Sequence, residues 1–268
     1  MRITDYSQLS DQVLAEMLSL CEDRLELAAV KEIARRDSML EPLSQLVADK
    51  QNWLLELPDF WAVVHGVFIL GYRGGAEVVR PLLSALRWAD AYDCDWVSEP
   101  LPSIFGKLGS PAIVGLRDVA LDETGGWSVR GIALQSLAAI SITAPEVEED
   151  IFKMIGQIFM DEAEDRNLRQ IAGNIMLDFR KASYRMALSK FAREEAQFLD
   201  GWSGFASEDV DFAFHQNQPD TWFYQDDWMR FYSPREIQRR QKRWHKERMI
   251  RRSPGRVINL WHPKPEQE

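Results

Sequence analysis

The chain has 268 residues, a formal net charge of −10 and a hydrophobic fraction of 46%. A chain of this length can bury one sizeable core, or one elongated core with an appendage. Its negative charge argues against wholesale binding to nucleic acid or to an anionic membrane. Only Cys21 and Cys94 are present, which excludes a disulfide framework and predicts buried free thiols in a cytoplasmic protein.

No apolar run approaches the ~20 residues needed to span a bilayer. The first residues, MRITDYSQLSDQ, lack the apolar stretch of a secretory signal. We therefore expect no association with a membrane.

Apolar side chains recur at helical spacing from the first residues onward. Residues 7–22, with Ser7 or Ser10 as a cap, 24–36 and 39–49 predict three helices that we interpret as a divergent end repeat. A helix over 60–72 is apolar on nearly every side and should be buried. Further helices are predicted at 78–89, 102–108, 112–121, 128–140, 146–160, 167–182 and 184–198.

One helical hairpin is written several times in the middle of the chain. VRGIALQSLAAI at 129–140 aligns with LRQIAGNIMLDF at 168–179, which places Arg130 on Arg169. Each copy follows an apolar helix that ends in an aspartate, Asp122 or Asp161, eight residues before the arginine. Weaker copies begin at Trp61 and Trp96. The two tryptophans lie 35 residues apart, and Asp122 and Asp161 lie 39 apart. A loose period of this length is typical of stacked helix pairs.

The repeated unit resembles the HEAT-repeat superfamily, in particular the bacterial HEAT-like proteins of the phycobilisome-lyase type. The short turn, the Val129-Arg130 pair near the start of the second helix and the small residues inside it carry the resemblance, which covers roughly residues 10–190. It implies an all-α, right-handed α-solenoid of about four to five helical hairpins over residues 1–198. The second helices would line its concave side.

Residues 199–268 break the repeat and form a second predicted region packed on the first. Residues 194–229 carry nine acidic and no basic side chains, and residues 230–256 carry eleven basic against two acidic ones. The many Trp, Phe and Tyr residues of 200–229 predict an irregular but ordered stretch, since disordered segments are poor in aromatics. Ser233-Pro234 marks the N-cap and first position of a basic helix that ends near residue 252.

The repeated charges have two readings. Arg130 and Arg169, with Asp122 and Asp161, resemble the Asp/Arg ladder that links neighbouring HEAT units by charge-assisted hydrogen bonds. The alternative is an anion site on the inner surface. His65 occupies the equivalent place in an earlier copy, where a substitute for the ladder arginine is favoured over a catalytic residue.

Two surface features remain as candidate sites. The acidic turn, Asp90, Asp93, Asp95 and Glu99, is either a solvated turn or a site for a metal or a basic partner, although it lacks the glycine and the closing glutamate of a calcium loop. The basic helix docks on the acidic body, binds a partner, or binds nucleic acid through its charges and the rings of Tyr232 and Trp244. Its candidate residues are Arg235, Arg239, Arg240, Lys242, Arg243 and Lys246.

No nucleotide-binding, hydrolase or metalloprotease motif occurs, and no metal or cofactor site is predicted. HEAT-type proteins mostly act as scaffolds, so the first hypothesis is a non-catalytic protein-binding module. Its contact surface would be the inner face near His65, Glu99, Arg130 and Arg169, together with the acidic turn. The second hypothesis is nucleic-acid binding by the helix over 230–252. The third is an enzyme of the bilin-lyase type, which only the resemblance suggests.

Overall fold

The computed structural model describes residues 5–195 and 204–252, with the backbone alone for residues 195 and 248–252. Within these ranges every regular element is an α-helix or a short 3-10 turn, and no strand is present. The protein is therefore all-helical over the part described. Its α-helices are α1 Asp11–Leu20, α2 Leu27–Arg35, α3 Leu40–Ala48, α4 Trp61–Arg73, α5 Val79–Ala91, α6 Asp95–Ser98, α7 Leu101–Leu108, α8 Ile113–Leu121, α9 Trp127–Thr143, α10 Glu148–Met160, α11 Arg166–Asp178, α12 Arg185–Glu195, α13 Ser207–His215 and α14 Pro234–Arg252.

The helices predicted between residues 7 and 195 are confirmed, with ends that differ by a few residues. Ser10 caps α1 by accepting a hydrogen bond from the Val13 amide at 3.3 Å, and Ser233 caps α14 by accepting one from the Glu236 amide at 3.3 Å. Both caps supply an acceptor for an amide that has no partner within the helix. The predictions for residues 196–203 and 253–268 fall outside the described residues.

The expectation of an irregular stretch over 200–229 was wrong where α13 forms. Val210 is the only buried side chain of α13, so the apolar pattern that reveals a helix is almost absent there. Asp209 starts the helix instead, because its carboxylate accepts a hydrogen bond from the Ala206 amide at 2.7 Å. The acidic turn likewise contains the short helix α6.

A 3-10 turn recurs immediately before every second helix of the series. These turns begin 39, 34, 35 and 37 residues apart, so the structure repeats with the period of the sequence. The turns are Asp37–Met39 before α3, Ala76–Val78 before α5, Ser110–Ala112 before α8, Pro145–Val147 before α10 and Ala182–Tyr184 before α12.

The helices pack in series. Helix α2 contacts α4, α4 contacts α7, α7 contacts α9 and α9 contacts α11. Hydrogen bonds between groups 34 to 40 residues apart join one hairpin to the next. They connect Arg73 to Asp37, Trp88 to the Ala48 carbonyl, Lys107 to the Tyr72 carbonyl, Arg87 to Asp122, Thr143 to the Gly106 carbonyl and Arg130 to Glu164.

Residues 204–252, here called the extension, run back across this series in reverse order. Helix α13 contacts α11, and the 3-10 turn Trp222–Gln225 contacts α9 and α7. The 3-10 turn Trp228–Tyr232 then contacts α4, and α14 reaches the turn Glu22–Arg24 near the start of the chain. The extension thus covers one face of the helical body, which is residues 5–195.

Candidate functional site

Arg130 and Arg169 occupy the same position in two successive units. In both, Nε donates to the carbonyl ten residues earlier, that of Ala120 at 2.9 Å and that of Phe159 at 3.0 Å. Arg130 is 5% exposed and holds both carboxylate oxygens of Glu164, at 2.9 and 2.5 Å. These hydrogen bonds hold the pKa of Glu164 below its usual range. Arg130 therefore links two units from inside the protein.

The expected pairing of these arginines with Asp122 and Asp161 is wrong in its partners. Asp122 accepts from the Thr124 amide at 3.2 Å and pairs with Arg87 at 3.1 Å, while Asp161 accepts from the Ala163 amide at 2.9 Å. Each aspartate follows a helix, where its carboxylate closes the next turn instead of reaching the arginine.

His65 is buried beneath the extension. Its Nε2 donates to the Glu22 carbonyl at 2.7 Å, which leaves Nδ1 to accept from the Tyr232 hydroxyl at 2.8 Å. Burial lowers the pKa of His65 to about 4, so the ring is neutral at physiological pH. Both ring nitrogens are used, and the imidazole joins the start of the chain to its extension.

The acidic turn does not act as one cluster. Asp93 has a φ of 50° and ends α5, since the Cys94 amide donates to the Ala89 carbonyl at 2.8 Å and the Asp93 amide to the Asp90 carbonyl at 3.3 Å. This pattern is a helix C-terminal motif. Glu99 lines a cleft, where partial burial and the neighbouring Asp95 raise its pKa. Among the described residues, no three His, Cys, Asp or Glu side chains converge to hold a metal ion.

The extension is anchored at its far end by Asp23, which is 2% exposed. Three side chains of α14 donate to this carboxylate, Gln241 at 2.7 Å, Trp244 at 2.9 Å and Arg240 at 3.4 Å. Arg240 also donates to the Asp23 and Phe231 carbonyls, both at 2.8 Å. The docking of α14 therefore rests on one buried carboxylate.

Arg240 is the exception among the basic residues predicted as a site. It is buried, and its guanidinium carbon lies 3.6 Å from the centre of the Phe231 ring. The other five are exposed on the outer side of α14: Arg235, Arg239, Lys242, Arg243 and Lys246. One arginine thus docks the helix, and the remaining cations face solvent.

The other end of the extension is held by Asp178 at the end of α11. The Tyr224 hydroxyl donates to its carboxylate at 2.7 Å, and the Asp220 amide donates to its carbonyl at 2.9 Å. Burial, opposed by this hydrogen bond and reinforced by the charge of Asp220, raises the pKa of Asp178 to about 6. Asp178 and Arg180 line the same surface depression. The ionised carboxylate is therefore less stable here than it would be in water, although it still predominates at pH 7.

We expect Asp178→Asn to stabilise the protein at neutral pH by about 3 kcal/mol, because the pKa of Asp178 is raised from 3.8 to about 6 and one pKa unit corresponds to ~1.4 kcal/mol. The folded-state pKa lies above the ordinary value of 3.8, so the wild type loses stability as the pH rises from about 4 to about 6. The amide keeps an acceptor for Tyr224 and does not ionise. Unfolding temperatures of both proteins should converge below about pH 4.

The control for this effect is Asp220→Asn, which removes an exposed like charge and should stabilise far less. If Asp178→Asn were less stable than the wild type at neutral pH, the carboxylate would be the better acceptor for Tyr224 and the burial argument would fail.

A cleft of about 540 Å³ lies between α6, with the two residues that follow it, and the extension. It brings together the two surfaces that the sequence singled out separately, because Glu99 of the acidic turn faces Arg239, Arg240 and Arg243 of α14. Trp96 and Trp222 stand at its rim, and Trp222 is 70% exposed. His65, Arg130 and Arg169 are not among the side chains that line it.

Three residues that make the contacts described above were not singled out from the sequence. Asp23 is a lone aspartate between two helices, and its partners lie more than 200 residues away. Glu164 carries no signal beyond its position before α11. Trp222 lies in the aromatic segment 200–229, which was predicted to be ordered. The sequence does not show which aromatic ring of that segment stays exposed, because exposure depends on the tertiary packing of the other rings.

Comparison with models of protein families, with curated proteins and with solved structures finds no match to this chain. The resemblance to HEAT repeats therefore stays a prediction from the sequence. In the part of the chain described, no helix combines the length and the apolar character that crossing a bilayer requires.

Proposed function

We propose that this protein is a non-catalytic protein-interaction scaffold, built as a right-handed α-solenoid of HEAT-like hairpins. Support for the solenoid comes from the recurring 3-10 turns, the serial packing of α2, α4, α7, α9 and α11, and the repeated geometry of Arg130 and Arg169. Stacked hairpins of this kind offer an extended surface to a partner. The free thiols of Cys21 and Cys94 favour a cytoplasmic location.

The observation that carries the proposal is the cleft. Trp222 is exposed and its ring contacts that of Phe223 edge-on, while nearby Tyr224 is buried and bonded to Asp178. Arginine side chains of α14 line the same cleft. Tryptophan, tyrosine and arginine dominate the energy of protein interfaces, and an exposed, positioned tryptophan beside arginines is typical of a binding surface.

The extension changes where a partner binds. It covers α4, α7 and α9 with its own side chains, so the surface near His65 is occupied within the molecule. We therefore place the partner at the cleft and on the outer side of α14. Glu99 is the one residue of the expected inner-face set that lines the cleft.

The test is capture of partners by tagged, full-length protein from cells that contain it, after nuclease treatment, at low and at high salt. We expect a specific protein to be retained at high salt, because an interface with aromatic anchors depends less on screened charges. As a control, we reverse two exposed cations on α5 and α10, Arg80→Glu with Lys153→Glu. This double variant should retain the same protein. Recovery of no specific protein at either salt would overturn the proposal.

Nucleic-acid binding is the second candidate, favoured by the five exposed cations of α14. Neutralising phosphates with such side chains releases counterions, so affinity would fall steeply with salt. Reversal of Arg235, Arg239, Lys242 and Lys246 to Glu should then abolish binding to a single-stranded oligonucleotide. Arg240 is left unchanged because it docks the helix.

A further inference from the structure

The five exposed cations among the described side chains of α14 form a stripe along one side of the helix. At 100° per residue they fall within an arc of roughly 100°, and they span about 16 Å along the axis. The opposite side carries the side chains that dock the helix, Arg240, Gln241 and Trp244. The basic stripe, defined as Arg235, Arg239, Lys242, Arg243 and Lys246, borders the cleft through Arg239 and Arg243.

The helical body does not neutralise this stripe. Arg239 lies 3.5 Å from Glu236 and Arg243 lies 3.8 Å from Glu247, and both arginines are more than half exposed. Such exposed pairs within one helix contribute little. In the described part of the chain, Arg235, Lys242 and Lys246 form no ion pair. The stripe is therefore free to attract a negatively charged partner.

The cleft also selects against a continuous polyanion. Glu99, Asp226 and Asp227 line it beside the aromatic rings. A phosphate backbone that followed the stripe into the cleft would bring its charges against these carboxylates. An acidic protein segment differs, because its charges alternate with apolar side chains that can face the rings while the charges face the stripe.

We infer that the cleft binds an acidic segment of a partner protein, with its Asp and Glu side chains on the basic stripe and an apolar side chain between Trp96 and Trp222. This inference rests on the proposed scaffold function and names the chemistry of its partner. An amphipathic segment laid along a groove is a common mode of peptide recognition. Charge complementarity sets its orientation, and the tryptophans supply the apolar contact.

The experiment uses the full chain and a defined probe, a fluorescein-labelled peptide of about 12 residues in which pairs of Glu alternate with single Leu, long enough to follow the stripe. Fluorescence anisotropy at moderate salt should show binding of this peptide and none of its Lys-for-Glu counterpart. Arg239→Glu with Arg243→Glu should weaken binding by about tenfold or more. Trp222→Ala, at an exposed side chain, should also weaken it by about tenfold or more.

The matched control is Arg80→Glu with Lys153→Glu, which changes the net charge equally at exposed sites on α5 and α10. It should leave binding within about twofold of the wild type. Equal loss in the control would show attraction to net charge alone and overturn the inference, as would failure of the acidic peptide to bind. Binding of a uridine oligonucleotide in place of the peptide, sensitive to the same arginines, would overturn it in favour of the second candidate.

The proposed function can fail separately. A native partner retained equally by the wild type and by the Arg239→Glu, Arg243→Glu variant would leave the scaffold function standing and overturn the acidic-segment inference. Peptide binding without any native protein partner would instead count against the scaffold function while supporting the chemistry of the cleft.

Discussion

Asp23→Ala is expected to release α14 from the helical body and to lower the free energy of unfolding by about 3–5 kcal/mol. The carboxylate accepts from Gln241 and Trp244 and is the counter-charge for Arg240, which is itself buried. Without it a guanidinium remains buried without a counter-charge, and two further donors lose their acceptor. Urea denaturation measures the loss, and trypsin cleavage within α14 reports the release.

The control is Asp37→Ala, which breaks a 2.6 Å ion pair with Arg73. The Asp37 side chain is 94% exposed. Water replaces the lost partner there, so the cost should stay below about 1 kcal/mol. Equal effects of the two substitutions would mean that Asp23 contributes no more than a surface charge. Rapid cleavage of α14 in the wild type would show that the docked state is not dominant.

Arg130→Met is expected to cost about 3 kcal/mol, because it removes a buried bidentate ion pair and leaves Glu164 partly buried without its cation. The Ala120 carbonyl loses its donor as well. Thermal or urea unfolding measures the effect. A residue whose role is to bind a partner would instead lower affinity and leave stability unchanged.

Arg87→Met is the matched control. Like Arg130, Arg87 pairs with a carboxylate of the next unit: Asp122 lies 35 residues from Arg87, and Glu164 lies 34 residues from Arg130. The two arginines differ in burial, because the Arg87 side chain is 46% exposed. We expect a loss below about 1 kcal/mol. If Arg87→Met cost as much as Arg130→Met, burial would not be what distinguishes the two links.

The sequence by itself determined the helices and their period. Helix α4, apolar on nearly every side, and the aligned copies within α9 and α11 follow from side chains a few residues apart, because helical hydrogen bonds and caps join neighbours along the chain. The cap at Ser233 was visible for the same reason. Helix α13 escaped because only Val210 of its side chains is buried.

Only the tertiary structure decided which surfaces remain free. Whether His65 faces a partner or the chain's own Tyr232 depends on a contact between groups 167 residues apart. Asp23 and Arg240, 217 residues apart, likewise become partners only when the extension packs on the body. Of the six basic side chains of α14 that the structure describes, one is buried and docks the helix and five lie in solvent. The spacing of residues along the chain does not predict which side chains become buried, because burial depends on every element that packs against a side chain.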